Sequence, residues 1–176
     1  MKTIGFILVL MAGVLLASCG EQPQPKQPQV SNSQLNESLE KANRYLVNEE
    51  EEDINNYVAR HQLNMVSTGT GMRYQIHKAG EGDLIQSGQT VTMAYELRNI
   101  IGDVVYSSEN DGVKVFVVGC GDVVSGLDEA MKHLHQGDEA TVIVPSHLGY
   151  GLLGDQKEIP SRATLIYCVK ILKVEK

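Results

Sequence analysis

Ser146 and His147 stand side by side where an apolar run ends, in Val-Pro-Ser-His-Leu-Gly-Tyr-Gly, residues 144–151. Nucleophilic catalysis is the first chemistry they suggest. It requires the two side chains to meet, with a third group orienting the base. Neighbours on an extended chain point apart, and the stretch is no Gly-x-Ser-x-Gly elbow. A serine hydrolase is therefore disfavoured. Metal binding is the second chemistry. His133 and His135 are two residues apart and do not share a helical face, and His61 and His77 add no ligand spacing. Gly69-Thr70-Gly71 and Gly119-Cys120-Gly121 lack a phosphate-loop lysine. No metal and no cofactor are expected. The acids from Glu49 to Asp53 read as a solvated helix start rather than a cation site. Cys120 and Cys168 have no zinc spacing; an exported protein could join them, but sequence does not say whether they meet. What remains is Tyr150 between Gly149 and Gly151, with further tyrosines on alternating runs. Such residues suit an apolar ligand hole with hydroxyl handles, or a reaction without a covalent step.

Strands must hold those tyrosines. Thr90 to Asn99 alternates, with Val91, Met93, Tyr95 and Leu97 on one face and Thr92, Ala94, Glu96 and Arg98 on the other. Met72 to His77, Val113 to Val118, Glu139 to Val144 and Ala163 to Val174 read as further strands. In the last, Leu165, Tyr167, Val169 and Ile171 share a face. Turn signals stand at residues 80–83, at Gly102-Asp103 and at Gly137-Asp138. One helix interrupts the strands, with Leu127, Ala130, Met131 and Leu134 at i, i+3, i+4 and i+7. Ser125 reads as its N-cap in a capping box with Asp128, and Gly137 as its stop. Five or six antiparallel strands around one amphipathic helix predict an α+β domain over residues 62–176.

Upstream the period is helical. Over residues 34–61, Leu35, Leu39, Ala42 and Leu46 recur at helical spacing, as do Ile54, Tyr57, Val58 and His61. Asn48 followed by acids is a good second start, so the segment reads as one helix or two. Its apolar stripe either docks on the domain or pairs with a second copy as a homodimer. Residues 19–33 are rich in proline and glutamine and cannot bury a core; as an extended tether they reach roughly 40 Å. Residues 1–18 read as a signal peptide, with Lys2, the apolar run Ile4 to Leu16 and small residues at its end. The run is shorter than the roughly 20 residues of a spanning helix. Leu16-Ala17-Ser18-Cys19 resembles the bacterial lipobox, which implies cleavage before Cys19 and a lipid attached to it. The chain of 176 residues carries a formal net charge of −7. An acidic chain does not attract a polyphosphate backbone, so nucleic acid is not an expected partner.

The features resemble a family in their order. Gly80-x-Gly82 leads to Gly88-Gln89-Thr90-Val91-x-x-x-Tyr95. Gly119, Val123-Val124-x-Gly126-Leu127-x-Glu129-Ala130 and Gly137 follow. Val144-Pro145, Tyr150-Gly151, Ile159-Pro160 and Ala163-Thr164-Leu165 complete the series. Over roughly residues 70–176 this resembles the FKBP-type peptidyl-prolyl cis-trans isomerases. The resemblance implies a curved antiparallel sheet wrapped over a short helix, and rotation of the bond before proline in unfolded or exported polypeptides. It carries over Tyr95, the Val124 N–H and the Tyr150 hydroxyl as catalytic contacts, the last two holding ligand carbonyls. It places Val105, Tyr106, Val123, Leu127, Ile159 and Tyr167 around the substrate, and Phe116 in the core. Three departures stand out. Leu127 replaces a frequent floor tryptophan, Val105-Tyr106 replaces Phe-Asp, and Lys114 replaces an aromatic. These widen the hole and remove a carboxylate, so a weakly catalytic binding or chaperone module on the same fold is the alternative. The leader, the acidic helix and Tyr106-Ser107-Ser108 are most similar to the gliding-motility-associated lipoproteins of Bacteroidetes, which implies a periplasm-facing lipid anchor at the outer membrane.

Overall fold

The computed structural model describes residues 31–176. The expected signal peptide over residues 1–18, the expected lipidation at Cys19 and the expected tether up to residue 30 lie outside the described residues. The first element is one unbroken helix, α1, Asn32–Arg60. The two-helix alternative with a restart at Asn48 falls. No glycine or proline interrupts residues 32–60, and an interior asparagine costs only about 0.7 kcal/mol against alanine.

The apolar stripe divides along α1. Leu35, Leu39 and Ala42 are exposed. Ile54 and Tyr57 are buried against Ile143 and Ile166 of the sheet, with Val58 packed beside them. The acidic run also departs from expectation, because it lies in mid-helix and two of its members bond to residues of the strands and their connections. Glu51 pairs with buried Arg73, which also donates to Asn55 Oδ1 at 2.9 Å. Glu50 accepts hydrogen bonds from Ser146 and Thr164.

Seven strands follow: β1 Val66–Ser67, β2 Arg73–Lys78, β3 Thr90–Arg98, β4 Val104–Ser107, β5 Lys114–Val117, β6 Glu139–Val144 and β7 Leu165–Glu175. They form one antiparallel sheet in the order β1-β2-β6-β7-β3-β4, with β5 also paired to β3. Tyr95 pairs with Val169 and Leu97 with Tyr167 across β3 and β7. Ala140, Val142 and Val144 of β6 join the main core on one face, while Ile143 packs toward α1 on the other. Burial on both faces explains why β6 is an apolar run without alternation. Register shifts at Thr92/Met93 and Leu97/Arg98 bend β3.

β4 and β5 share one edge of β3, at Glu96–Arg98 and Thr90–Met93 respectively. Between them the chain leaves the ladder as a single turn, α2, Ser108–Asp111. That departure would leave a β3 N–H without a partner. Tyr95 N–H donates instead to Ser108 Oγ at 2.7 Å.

The short helix α3, Ser125–Met131, packs on the inner face with Leu127, Ala130 and Met131 buried. The expected capping box does not form. Val124 is the N-cap, the Ser125 hydroxyl donates to Leu148 O at 3.1 Å, and Asp128 accepts the Gly119 N–H at 2.6 Å. Both side chains are drawn away by longer-range partners. The helix stops at Met131, ahead of Gly137, although Leu134 remains buried in the turn that follows. Gly126 marks a close approach: a Cβ there would lie 2.5 Å from Val144 Cγ1. Cys120 and Cys168 are free thiols, both exposed.

Candidate active site

Six segments bring the expected site residues to one apolar cluster. β3 supplies Tyr95, β4 supplies Val105 and Tyr106, and the approach to α3 supplies Val123 and Val124. Leu127 comes from α3, Tyr150 and Ile159 from the β6–β7 connection, and Tyr167 from β7. Leu127, Ile159 and Tyr167 are buried, and the other six pack against them half-buried. Phe116, buried on β5 opposite Val91, is core as expected. Lys114 places its ammonium 5.8 Å from the Tyr95 ring centroid. A cation thus covers the ring where the resemblance implied another aromatic.

Three phenols meet here. Burial pushes the Tyr167 hydroxyl far above the ordinary tyrosine range, and Tyr150 and Tyr95 add to the effect. Burial also raises Tyr150, helped by the Asp155 carboxylate, and raises Tyr95, helped by Asp111 and Tyr150. All three remain protonated donors at neutral pH. Among the described residues their hydroxyls have no hydrogen-bond partner, and none is sealed from water. The backbone offers one more donor. The Val124 carbonyl accepts the N–H groups of Leu127 and Asp128 at 3.0 and 3.1 Å, while the Val124 N–H has no partner among the described residues. A helix start leaves such groups open. The arrangement is an apolar floor bordered by unused N–H and O–H donors, suited to a small ring flanked by carbonyls.

Tyr106 is held in a way that sequence did not disclose. Its hydroxyl donates to Asp155 Oδ2 at 2.5 Å. Asp155 Oδ1 accepts the N–H groups of Lys157 and Ile159 at 2.9 and 2.8 Å. One carboxylate thus folds the turn that carries Ile159 and fastens it to β4. Gly154 permits this turn, with φ of +64° and space for a Cβ only 2.2 Å from Ile159 O. Burial alone would raise the Asp155 carboxyl, but the hydrogen bonds from Tyr106, Ile159 and Lys157 outweigh it and hold the group below its usual range. The same bond is the main reason Tyr106 is pushed up to about 12. A carboxylate therefore does stand at this site, supplied by residue 155. The one available signal was the Gly154-Asp155 pair, a common turn former.

Ser146 and His147 open a 3₁₀ turn, Ser146–Leu148. Ser146 faces Glu50, and His147 Nε2 lies 3.1 Å from Thr70 O, so the two make no nucleophile–base pair. No group of His, Cys, Asp and Glu among the described residues is arranged to hold a metal.

An antiparallel sheet with the short helix α3 packed on its inner face, and tyrosines gathered at the edge of the shared apolar cluster, defines a domain of the FKBP class. Residues 82–172 match the family model described as FKBP-type peptidyl-prolyl cis-trans isomerase. The chain belongs to that family. It is 37% identical over 108 residues to a probable FKBP-type peptidyl-prolyl cis-trans isomerase, FkpA, of Neisseria meningitidis, covering 61% of this chain and 39% of that protein. The chain spans less than half the length of the curated relatives it matches. Among solved structures, FkpA from Escherichia coli is similar with a TM-score of 0.64 at 22% identity, covering 84% of this chain and 74% of that one. A peptidyl-prolyl cis-trans isomerase from Pseudomonas syringae pv. tomato gives 0.65 at 18% identity, covering 76% and 96%. These structures bear on the fold alone.

Proposed function

We propose that the protein catalyses cis–trans rotation of X-Pro peptide bonds in exported polypeptides. The carrying observation is the pair of unpartnered donors, Val124 N–H and Tyr150 O–H, beside the apolar floor at Leu127. Amide resonance sets a barrier of about 18–20 kcal/mol, and uncatalysed exchange takes tens to hundreds of seconds. No covalent step is needed to lower it. Tyr95, Tyr167, Leu127 and Ile159 would enclose the proline ring. The two donors would hold substrate carbonyls and fix one side of the chain while the preceding residue turns. A planar amide is more polar than a twisted one, so a dry, apolar hole disfavours the ground state more than the transition state. The test is acceleration of isomerisation in short X-Pro peptides. A rate at micromolar protein equal to the uncatalysed rate would instead support the second reading, a binding or chaperone module, which rests on Val105, Tyr106 and Lys114.

Localisation and assembly are part of the proposal. The leader and Cys19 support a lipid-anchored, periplasm-facing protein at the outer membrane, in line with the resemblance to the gliding-motility-associated lipoproteins. Cys19→Ala should release the protein from membranes, and persistent retention would contradict lipidation. The exposed Leu35 and Leu39 support a homodimer through α1. Sedimentation of the full chain as a monomer at micromolar concentration would contradict it.

A further inference from the structure

We infer that Glu50 of α1 is a positioning residue for Tyr150. The role rests on the isomerase reading of the site. Glu50 Oε1 accepts the Ser146 N–H at 2.6 Å and the Thr164 hydroxyl at 2.7 Å, and Oε2 accepts the Ser146 hydroxyl at 2.8 Å. Ser146 and Thr164 are buried, at 7% and 6% exposure. They are the two ends of the connection that carries Tyr150, Asp155 and Ile159. The sheet closes that connection at Val144 and Leu165. The carboxylate clamps it once more, two residues past Val144 and one before Leu165, and from a different element.

The clamp reaches Tyr150 in one further step. The Ser146 carbonyl accepts the N–H groups of Gly149 and Gly151 at 3.1 and 2.9 Å, so the backbone on both sides of Tyr150 hangs on Ser146. Gly151 has φ of +59° and no neighbour within 4 Å of a Cβ position, so local packing does little to hold it. The Gly151 carbonyl is held in turn by Arg162 N–H at 2.7 Å. Three charge-assisted hydrogen bonds to one carboxylate are short and strong. Without them the 146–151 turn keeps bonds among its own residues, to Pro145 and Arg162, to Ser125 of α3, and from His147 to Thr70. A donor aimed at a substrate carbonyl loses effect when displaced by a fraction of an ångström. Glu50 thus fixes where the Tyr150 hydroxyl stands without touching the substrate.

The test compares Glu50→Ala, Glu50→Gln and Glu49→Ala in the full chain, by hydrogen exchange and by isomerisation of X-Pro peptides. Glu50→Ala should speed exchange in residues 146–151 while leaving the β3–β7 ladder unchanged. It should lower kcat/KM by no more than the roughly fivefold expected when the Tyr150 hydrogen bond is lost altogether. Glu50→Gln keeps the length and one acceptor and should recover part of both effects. Glu49→Ala, an exposed neighbour, should change neither. Equal acceleration of exchange in the β3–β7 ladder would overturn the proposal in favour of a general loss of stability. So would unchanged exchange at 146–151, or a loosened turn with full kcat/KM. A wild-type chain that fails to accelerate isomerisation would overturn the functional reading; the exchange comparison still decides whether Glu50 holds the turn.

Discussion

At the scale of single residues, the site is a set of donors kept free and a set of acceptors kept busy. Tyr150 should contribute one hydrogen bond to a substrate carbonyl, worth about 1 kcal/mol net. Tyr150→Phe should therefore cut kcat/KM by roughly fivefold with the fold unchanged. Tyr106 does the opposite work, with its hydroxyl committed to Asp155. The pH dependence of that bond follows from both partners. The Tyr106 hydroxyl is raised from 10.0 to about 12, so its contribution is complete below pH 10.0 and is lost as pH rises toward 12. The Asp155 carboxyl is lowered from 3.8, so its contribution is complete above pH 3.8 and is lost as pH falls further. Asp155→Asn should bring the alkaline absorbance titration of Tyr106 back from about 12 toward 10.0; an unmoved titration would mean that the bond is absent in solution. Tyr95, Val124, Tyr150 and Tyr167 were legible because alternation and ordered motifs place them. Asp155 and Glu50 were not, because each acts through partners 49 to 114 residues away in sequence, and no local period records such a distance.

At the scale of elements, strands with one buried face were readable and short connections were not. β3 and β7 run close to the expected limits because their inward residues alternate. β1, β4 and the single turn α2 escaped notice, since two to four residues carry no period. The capping box at Ser125 and Asp128 was a correct local signal overridden by Leu148 and Gly119. Gly126 shows what positions α3. Gly126→Ala should force the helix start off β6 and cost about 1–3 kcal/mol by overpacking. Calorimetry checks this, and a neutral change would mean that α3 sits less closely on Val144. α1 makes the complementary case. Ile54 is wholly buried against Ile143 and Ile166, so Ile54→Ala should cost about 2–5 kcal/mol. A loss under about 1 kcal/mol would show that the helix is only loosely docked.

At the scale of the whole molecule, the chain joins an isomerase-type domain to an N-terminal segment whose acids are wired into the domain. The acidic run reads as solvent-facing from composition alone. In the fold, Glu50 and Glu51 tie α1 to the connection after β6 and to β2. Family membership follows from the domain, whereas catalysis depends on whether a hole with Leu127, Tyr106 and Lys114 still turns proline bonds. One measurement addresses that directly: the isomerisation rate of a short X-Pro peptide with the wild-type chain and with Tyr150→Phe, side by side. The account predicts clear acceleration by the wild type and a roughly fivefold lower kcat/KM for the variant. An uncatalysed rate with the wild type, or equal rates for the two proteins, would contradict it.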